Sequence, residues 1–387
     1  MNNLSKRAIL NNYYQIKSVQ ISLAIALGLF LYIKCKIKYF FKGMKMNKIL
    51  TIIAILFISI TVFAQNNDES GGKFSGDMIA DYYHITKSHK SDIKDKHGFW
   101  FRRIYLTYDY KVNSNFSTRL RLEMSNEGDF TSKIAMIPFV KDAWLKYRLD
   151  KIQFILGISP TPTFAVIENI WGYRSVEKTP LDLQRMASSR DFGLSIKGKF
   201  DDNGIVKYHL MLSNGSSNKQ EIDKGKSGML SLGLYPSKEW VFEIYGDYAD
   251  KKGDTDWYTW QVILGFVTNK FQAGIQYADQ TREKLEDVDE KLRVASIFLT
   301  GVISEQFSLF GRVDKTFDPN PNGDDIVFIP FDPTAKSTFF VAGLDWQPAK
   351  DVSIIPNIEF IKYERNSNGI TPGSDLIFRL TFYWKFK

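Results

Sequence analysis

The sequence predicts an all-β chain, a single transmembrane antiparallel β-barrel of about sixteen strands with long external loops and short periplasmic turns. Three observations predict it. First, the final stretch Asp375-Leu-Ile-Phe-Arg-Leu-Thr-Phe-Tyr-Trp-Lys-Phe-Lys387 alternates with period two. Leu376, Phe378, Leu380, Phe382, Trp384 and Phe386 fall on one face, and Ile377, Arg379, Thr381, Tyr383 and Lys385 on the other. Successive strand side chains point to opposite faces, so this segment has one apolar face, suited to lipid, and one mostly wet face. Second, similar segments recur along the chain at lengths near the roughly 9–11 residues a tilted membrane strand needs. Third, the connections alternate strictly between short and long, as they do in outer-membrane barrels.

Bulk composition agrees. Mean hydropathy is −0.22, yet 15% of the residues are aromatic, a combination that suits half-wet strands better than membrane helices. The net charge of +8 is confined to one end. Residues 1–64 hold nine Lys or Arg and no Asp or Glu, and the remainder carries 42 basic against 43 acidic residues. That balance removes the compositional argument for a nucleic-acid binder, and no nucleic-acid partner is expected. The only cysteine, Cys35, lies in the same basic stretch, so the rest has neither a disulfide framework nor a Cys-based metal site.

In chain order, residues 46–64 have the layout of a secretory signal peptide. Lys48 supplies the positive start, Ile49 to Ile60 the apolar run, and Val62-Phe63-Ala64 the small-residue exit. An uncleaved anchor is the alternative, but the run is short of the ~20 residues a spanning helix needs. Residues 1–45, with a second apolar run from Ile21 to Ile33, are expected to be a non-native upstream extension, Met46 being the start. A periplasmic N-terminal segment (65–73) then precedes the barrel (74–387).

Strands are expected near 74–84, 98–111, 115–125, 138–149, 151–159, 191–200, 205–213, 228–236, 240–250, 257–268, 271–279, 292–302, 306–315, 337–346, 352–364 and 375–386. Short connections such as Asp150-Lys151, Asp201-Asp-Asn-Gly204 and Gln347-Pro-Ala-Lys-Asp351 carry the Asp, Gly and Pro chemistry of tight hairpins. The long ones are 85–97, 126–137, 160–190, 214–227, 251–256, 280–291, 316–336 and 365–374. In hydrocarbon every backbone N–H and C=O must be paired, so the first strand must meet the last. Both termini then lie on the periplasmic side. A barrel of this size encloses water rather than a packed core.

Several stretches resemble a known family. Gly157-Ile-Ser-Pro-Thr-Pro-Thr-Phe164, Thr179-Pro-Leu-Asp-Leu-Gln-Arg-Met-Ala-Ser-Ser-Arg-Asp-Phe-Gly193, Phe340-Val-Ala-Gly-Leu-Asp-Trp-Gln-Pro348 and Ile354-Ile-Pro-Asn357 look like the outer-membrane porins of Bacteroidota. Those are distantly similar to the phosphate-selective porin family. The resemblance implies a sixteen-stranded, trimeric porin whose third external loop folds into the channel. It also implies a final aromatic residue read by the barrel-assembly machinery. Here Lys387 follows Phe386, which shifts that signal by one residue.

Two sets of side chains are the expected site. Loop 160–190, the longest, is the candidate constriction, with Glu168, Trp171, Tyr173, Arg174, Glu177, Lys178, Asp182, Arg185 and Arg190. The alternative is an external cap that stays out of the lumen. Arg103, Arg119, Arg121, Lys146, Arg148, Lys197, Lys199 and Lys207 form the expected pore-lining basic wall. Lining charges are how pores select, so this wall favours anions modestly. The competing reading is that these charges keep the lumen wet and pair with one another. The lipid face of the last strand is expected at Phe378, Leu380, Phe382, Trp384 and Phe386.

Other motifs carry less. His84, His89 and His97 cluster in and near the first long loop without a metal-ligand spacing. Asp318-Pro-Asn-Pro-Asn-Gly-Asp-Asp325 lacks the calcium-loop order and reads as a solvated loop. Gly225-Lys226-Ser227 lacks the first Gly of a phosphate loop. His209 is predicted to face the lumen, and no nucleophile, base and orienter converge, so no enzyme, cofactor or metal is expected. The expected function is passive diffusion of small hydrophilic solutes or anions. A selective anion or phosphate channel is the first alternative, and a structural or adhesive barrel the second. The expected partners are outer-membrane lipid and lipopolysaccharide, the barrel-assembly machinery and two further copies of the chain.

Overall fold

The structure, a computed structural model, describes residues 70–387 apart from 223, 254 and 286. The expected extension 1–45, the signal peptide 46–64 and most of segment 65–73 lie outside the described residues. Sixteen strands follow: β1 (Gly71–Lys87), β2 (His97–Lys111), β3 (Phe116–Ser125), β4 (Ile137–Leu149), β5 (Ile152–Pro160), β6 (Arg190–Lys199), β7 (Val206–Ser213) and β8 (Ser227–Leu234). The second half is β9 (Trp240–Ala249), β10 (Trp257–Val267), β11 (Phe271–Arg282), β12 (Glu290–Val302), β13 (Phe307–Thr316), β14 (Ser337–Ala349), β15 (Val352–Tyr363) and β16 (Asp375–Phe386). Between β5 and β6 lie two short helices, α1 (Phe164–Trp171) and α2 (Pro180–Leu183).

Every strand pairs antiparallel with its successor, and β16 pairs with β1, so the sheet is a closed barrel. Ile79 faces Tyr383 and Ala80 faces Phe382 across that seam. Paired residues share a face, which sorts inside from outside around the ring. Phe378, Leu380, Phe382, Trp384 and Phe386 fall on the outer face, as do the exposed Leu120, Leu156, Phe192, Leu264, Ile297 and Phe340. A continuous apolar exterior of this kind aggregates in water and is matched by hydrocarbon. β1 starts at Gly71, three residues before the expected barrel start, because Gly71, Gly72 and Lys73 pair with Lys111, Tyr110 and Asp109.

Connections at one end are tight, as at Asp150-Lys151 and Lys350-Asp351, where Asp150 and Asp351 take φ of 48° and 64°. Asp tolerates this left-handed backbone in hairpin turns. The opposite end carries the long connections.

Strict alternation fails at four places in the described sheet, two of which aim charged residues at the lumen. Ile79 faces Arg103 while Ala80 faces Phe101, so Arg102 is an extra residue in β2. Arg102 and Arg103 are both buried, one contacting Glu177 and the other Glu123. In β4, Arg121 faces Asp142 and Leu122 faces Val140, which makes Lys141 the extra residue. Its ammonium pairs with Glu123 at 2.9 Å. Bulges re-aim a side chain in this way.

The interior is not uniformly wet. Ile167, Ile170, Trp171, Val176 and Leu183 from the segment between β5 and β6 pack with Phe298, Phe310, Phe339 and Val341 of the wall. A second connection, between β13 and β14, adds Ile326, Ile329 and Phe331 to the same cluster. Two wall glycines make room. A Cβ on Gly265 would lie 2.6 Å from Ile170 Cδ1, and one on Gly274 would lie 2.3 Å from the Phe298 ring and 3.0 Å from Ile170 Cγ2. One side of the lumen is therefore a dry core.

Candidate functional site in the barrel lumen

The segment between β5 and β6 is tied to widely separated parts of the wall. Arg102 of β2 donates to the Val176 carbonyl and to Glu177 Oε2 at 3.2 Å. Gln261 of β10 donates to Thr163 Oγ1 at 2.7 Å, and Gln280 of β11 donates to the Met186 carbonyl. Arg312 of β13 donates to the Lys178 carbonyl at 2.6 Å while held by Asp314 at 2.7 Å. Tyr173 stacks on Phe310 with ring centroids 4.0 Å apart, and Trp171 donates to the Glu177 carbonyl at 3.0 Å. Thr163, at the N-cap of α1, has a φ of 72°. For a β-branched residue that is an outlier, held here by the Gln261 hydrogen bond.

Beneath this sits a buried ionic cluster. Arg102 approaches Asp81 at 3.6 Å; Arg379 pairs with Asp81 at 3.3 Å and Glu359 at 3.0 Å. Arg379 also donates to the Phe328 carbonyl. Phe328 has a φ of 74°, lies 4.7 Å beneath the Arg102 guanidinium, and donates its backbone N–H to the Gly128 carbonyl at 2.7 Å. The connection between β13 and β14 is thus locked to the same arginines. Asn320 donates to the Gln184 carbonyl at 2.9 Å, so the expected solvated loop 318–325 is buried at Asn320 and Gly323. Its side-chain amide satisfies the end of α2, which a fully solvated loop would leave to water.

The free edge of the segment faces β1–β4. Arg174 pairs with Glu168 at 3.2 Å and Asp182 at 3.1 Å. Across the gap, Arg103 pairs with Glu123 at 3.3 Å, Arg121 approaches Asp142 at 3.7 Å, and Arg190 pairs with Asp142. Cavities of about 430 and 170 Å³ adjoin here, and both are lined by Arg103, Lys141, Arg174 and Ser189. Burial pushes the Lys178 ammonium down to about 8, with Asp182 opposing and Arg103 and Arg174 reinforcing the fall. Arg185 lies at the outer side of the segment, 3.3 Å from Asp325.

The eight wall cations divide in two. Arg103, Arg119 and Arg121 are ion-paired, Arg119 bidentately to Asp109 at 2.7 and 2.8 Å. Among the described residues, no carboxylate lies within ion-pair distance of Lys146, Arg148, Lys197, Lys199 or Lys207. Lys146 lies over the Trp144 ring at 5.4 Å, Lys207 over Tyr235 at 3.9 Å, and Lys199 donates to the Asp202 carbonyl at 2.6 Å. Arg102, Lys141 and Arg379 belong to the site but escape a period-two reading in different ways. The first two are bulge residues, and alternation marks Arg379 only as a wet-face residue of β16. The connection 326–331, Ile-Val-Phe-Ile-Pro-Phe, carried a signal: an apolar run where a hydrophilic external loop belongs.

The closed antiparallel barrel of sixteen strands is a fold this chain shares with solved outer-membrane porins and channels. The chain superposes on the anion-selective porin from Comamonas acidovorans with a TM-score of 0.60 and 10% identity, covering 82% of this chain and 100% of that one. For the outer-membrane channel DcaP of Acinetobacter baumannii the TM-score is 0.60 and the identity 12%, covering 84% of this chain and 99% of that one. For the trimer form of OmpT of Vibrio cholerae they are 0.56 and 10%, covering 82% and 100%. Identities this low carry the fold and not the solute. No family model matches the chain, and no curated protein matches it by sequence.

Proposed function

We propose that this chain is an outer-membrane porin that passes small hydrophilic solutes by diffusion, with a modest preference for anions. The observation that carries the reading is a closed barrel with an apolar exterior, whose interior keeps charged cavities beside an infolded segment. Segment 160–190 acts as the constriction: its Arg174, Glu168 and Asp182 line the same pair of adjoining cavities as Arg103, Arg121 and Lys141 of the wall. The anion preference rests on Lys146, Arg148, Lys197, Lys199 and Lys207, since paired charges give little field and unpaired ones give more. The signal at 46–64 delivers the chain, the barrel-assembly machinery inserts it, and both termini stay periplasmic. Lipid and lipopolysaccharide surround it, and three copies assemble; the trimer form of OmpT supports that state.

Planar-bilayer recording tests the reading. Stepwise ohmic conductance in potassium chloride, with a reversal potential on the anion side in a salt gradient, is the expected result. A silent barrel would instead support a structural or adhesive role, which the dry half of the lumen would suit.

A further inference from the structure

Diffusion through a wet lumen leaves unused a group of buried polar atoms between β5 and β9. A cavity of about 480 Å³ lies there, between the wall and the start of α1. One end is cationic, with Arg148, Lys197, Lys199 and Lys207. The other is formed by His209, Ser231 and Glu243, with Thr163. Glu243 is only 3% exposed, and its carboxyl is hydrogen-bonded by Thr163 and Ser231, yet among the described residues its Oε1 and His209 Nε2 have no hydrogen-bond partner. Such orphans are costly when left dry, so two of them lining one cavity mark a place where an occupant supplies the bonds.

The spacing constrains that occupant. Lys207, Gly233 and Glu243 are lateral neighbours on β7, β8 and β9. Two strand separations put the backbone positions of the lysine and the glutamate about 10 Å apart. Gly233 leaves the floor between them open, with the Tyr235 ring 2.8 Å from where its Cβ would stand. Lys207 reaches to 3.9 Å from the centre of that ring.

We propose that this cavity is a solute subsite for a small hydroxylated anion, a sugar acid or a sugar phosphate. Its anionic group meets the lysines and Arg148, and its hydroxyls meet Glu243, His209 and Ser231. A hydroxyl both donates and accepts, which fits an acceptor-only carboxylate beside an imidazole and a serine. Bare phosphate fills only the cationic end, and a neutral sugar leaves the cations unanswered. The inference rests on the porin reading, because a solute must reach the lumen to be held there.

The test uses the full chain in planar bilayers, with glucose 6-phosphate, gluconate, inorganic phosphate and glucose each added to potassium chloride. Glucose 6-phosphate should reduce the current saturably at about tenfold lower concentration than phosphate, the effect of one charge-assisted hydrogen bond. Gluconate should behave likewise if the carboxylate is the preferred anionic group, and glucose should show no saturation. Glu243→Ala should bring glucose 6-phosphate to the level of phosphate. Glu243→Gln, which keeps the shape, should narrow the gap less. Lys197→Gln with Lys207→Gln should weaken every anion together. Half-saturation at equal concentrations of glucose 6-phosphate and phosphate would overturn the subsite, as would a Glu243→Ala protein that keeps the difference. An absence of any chloride conductance would overturn the porin reading itself.

Discussion

Arg102 shows how much one side chain can hold in place. Its guanidinium joins Asp81, Glu177 and the Val176 carbonyl. Removing one partner of a buried ion pair costs about 3–5 kcal/mol, because the remaining charge is left unpaired. Arg102→Met should therefore release the segment between β5 and β6, raising single-channel conductance and its noise. The double variant Arg102→Met, Glu177→Met should be closer to the native protein than the single one; equal effects of both in a double-mutant cycle would remove the pair from the account. The glycine floor makes a similar prediction by sterics. Gly265→Val should push Ile170 and α1 off the wall and widen the conducting path, whereas Gly301→Val, where a Cβ meets nothing within 4 Å, should leave conductance unchanged. Lys178 supplies the pH dependence. Its ammonium is held near 8, so it is charged below that pH and neutral above it. The reversal potential should move toward cations between about pH 7 and 9, and Lys178→Met should abolish that movement.

At the scale of elements, the strands and turns were legible and the departures from regularity were not. Period-two alternation located β3, β9 and β16 to within a residue or two of their observed ends, because hydrocarbon on one side and water on the other impose a sharp contrast. Arg102 and Lys141 were illegible, since a bulge shifts the parity that such a reading assumes. The fold of the connection between β13 and β14 was legible in principle: Ile326 to Phe331 is too apolar for an external loop, but alternation says nothing about loops. The basic wall was legible as residue types and not as pairs. Alternation within one strand does not show that Asp109 offsets Arg119, which needs the register that sets the two opposite each other on β2 and β3. This division gives a selective prediction. Lys146→Glu and Lys197→Glu should move the reversal potential toward cations more than Arg119→Glu does, since Arg119 is already offset by Asp109. Deleting the centre of segment 160–190 should raise conductance more than any of these.

For the molecule as a whole, two connections enter a barrel that would otherwise be open. They fill the side walled by β10–β16 with an apolar core and leave the charged cavities beside β1–β9. A sixteen-stranded barrel is wide enough for a channel, yet here the packed side narrows it, so conductance should be low for the strand number. Detergent-extracted protein should migrate as a compact, heat-modifiable species, and size exclusion should give three copies. A monomer of full conductance would detach the assembly from the function.

The seam between β1 and β16 joins the two ends of the described sheet, residues about as distant in sequence as the fold allows. Contacts of such separation form late and slowly. Until β16 has left the ribosome, β1 has no mate, and each half-made sheet exposes raw edges and rings to water. A stop codon before Asp375 should therefore leave aggregates and no membrane-inserted protein.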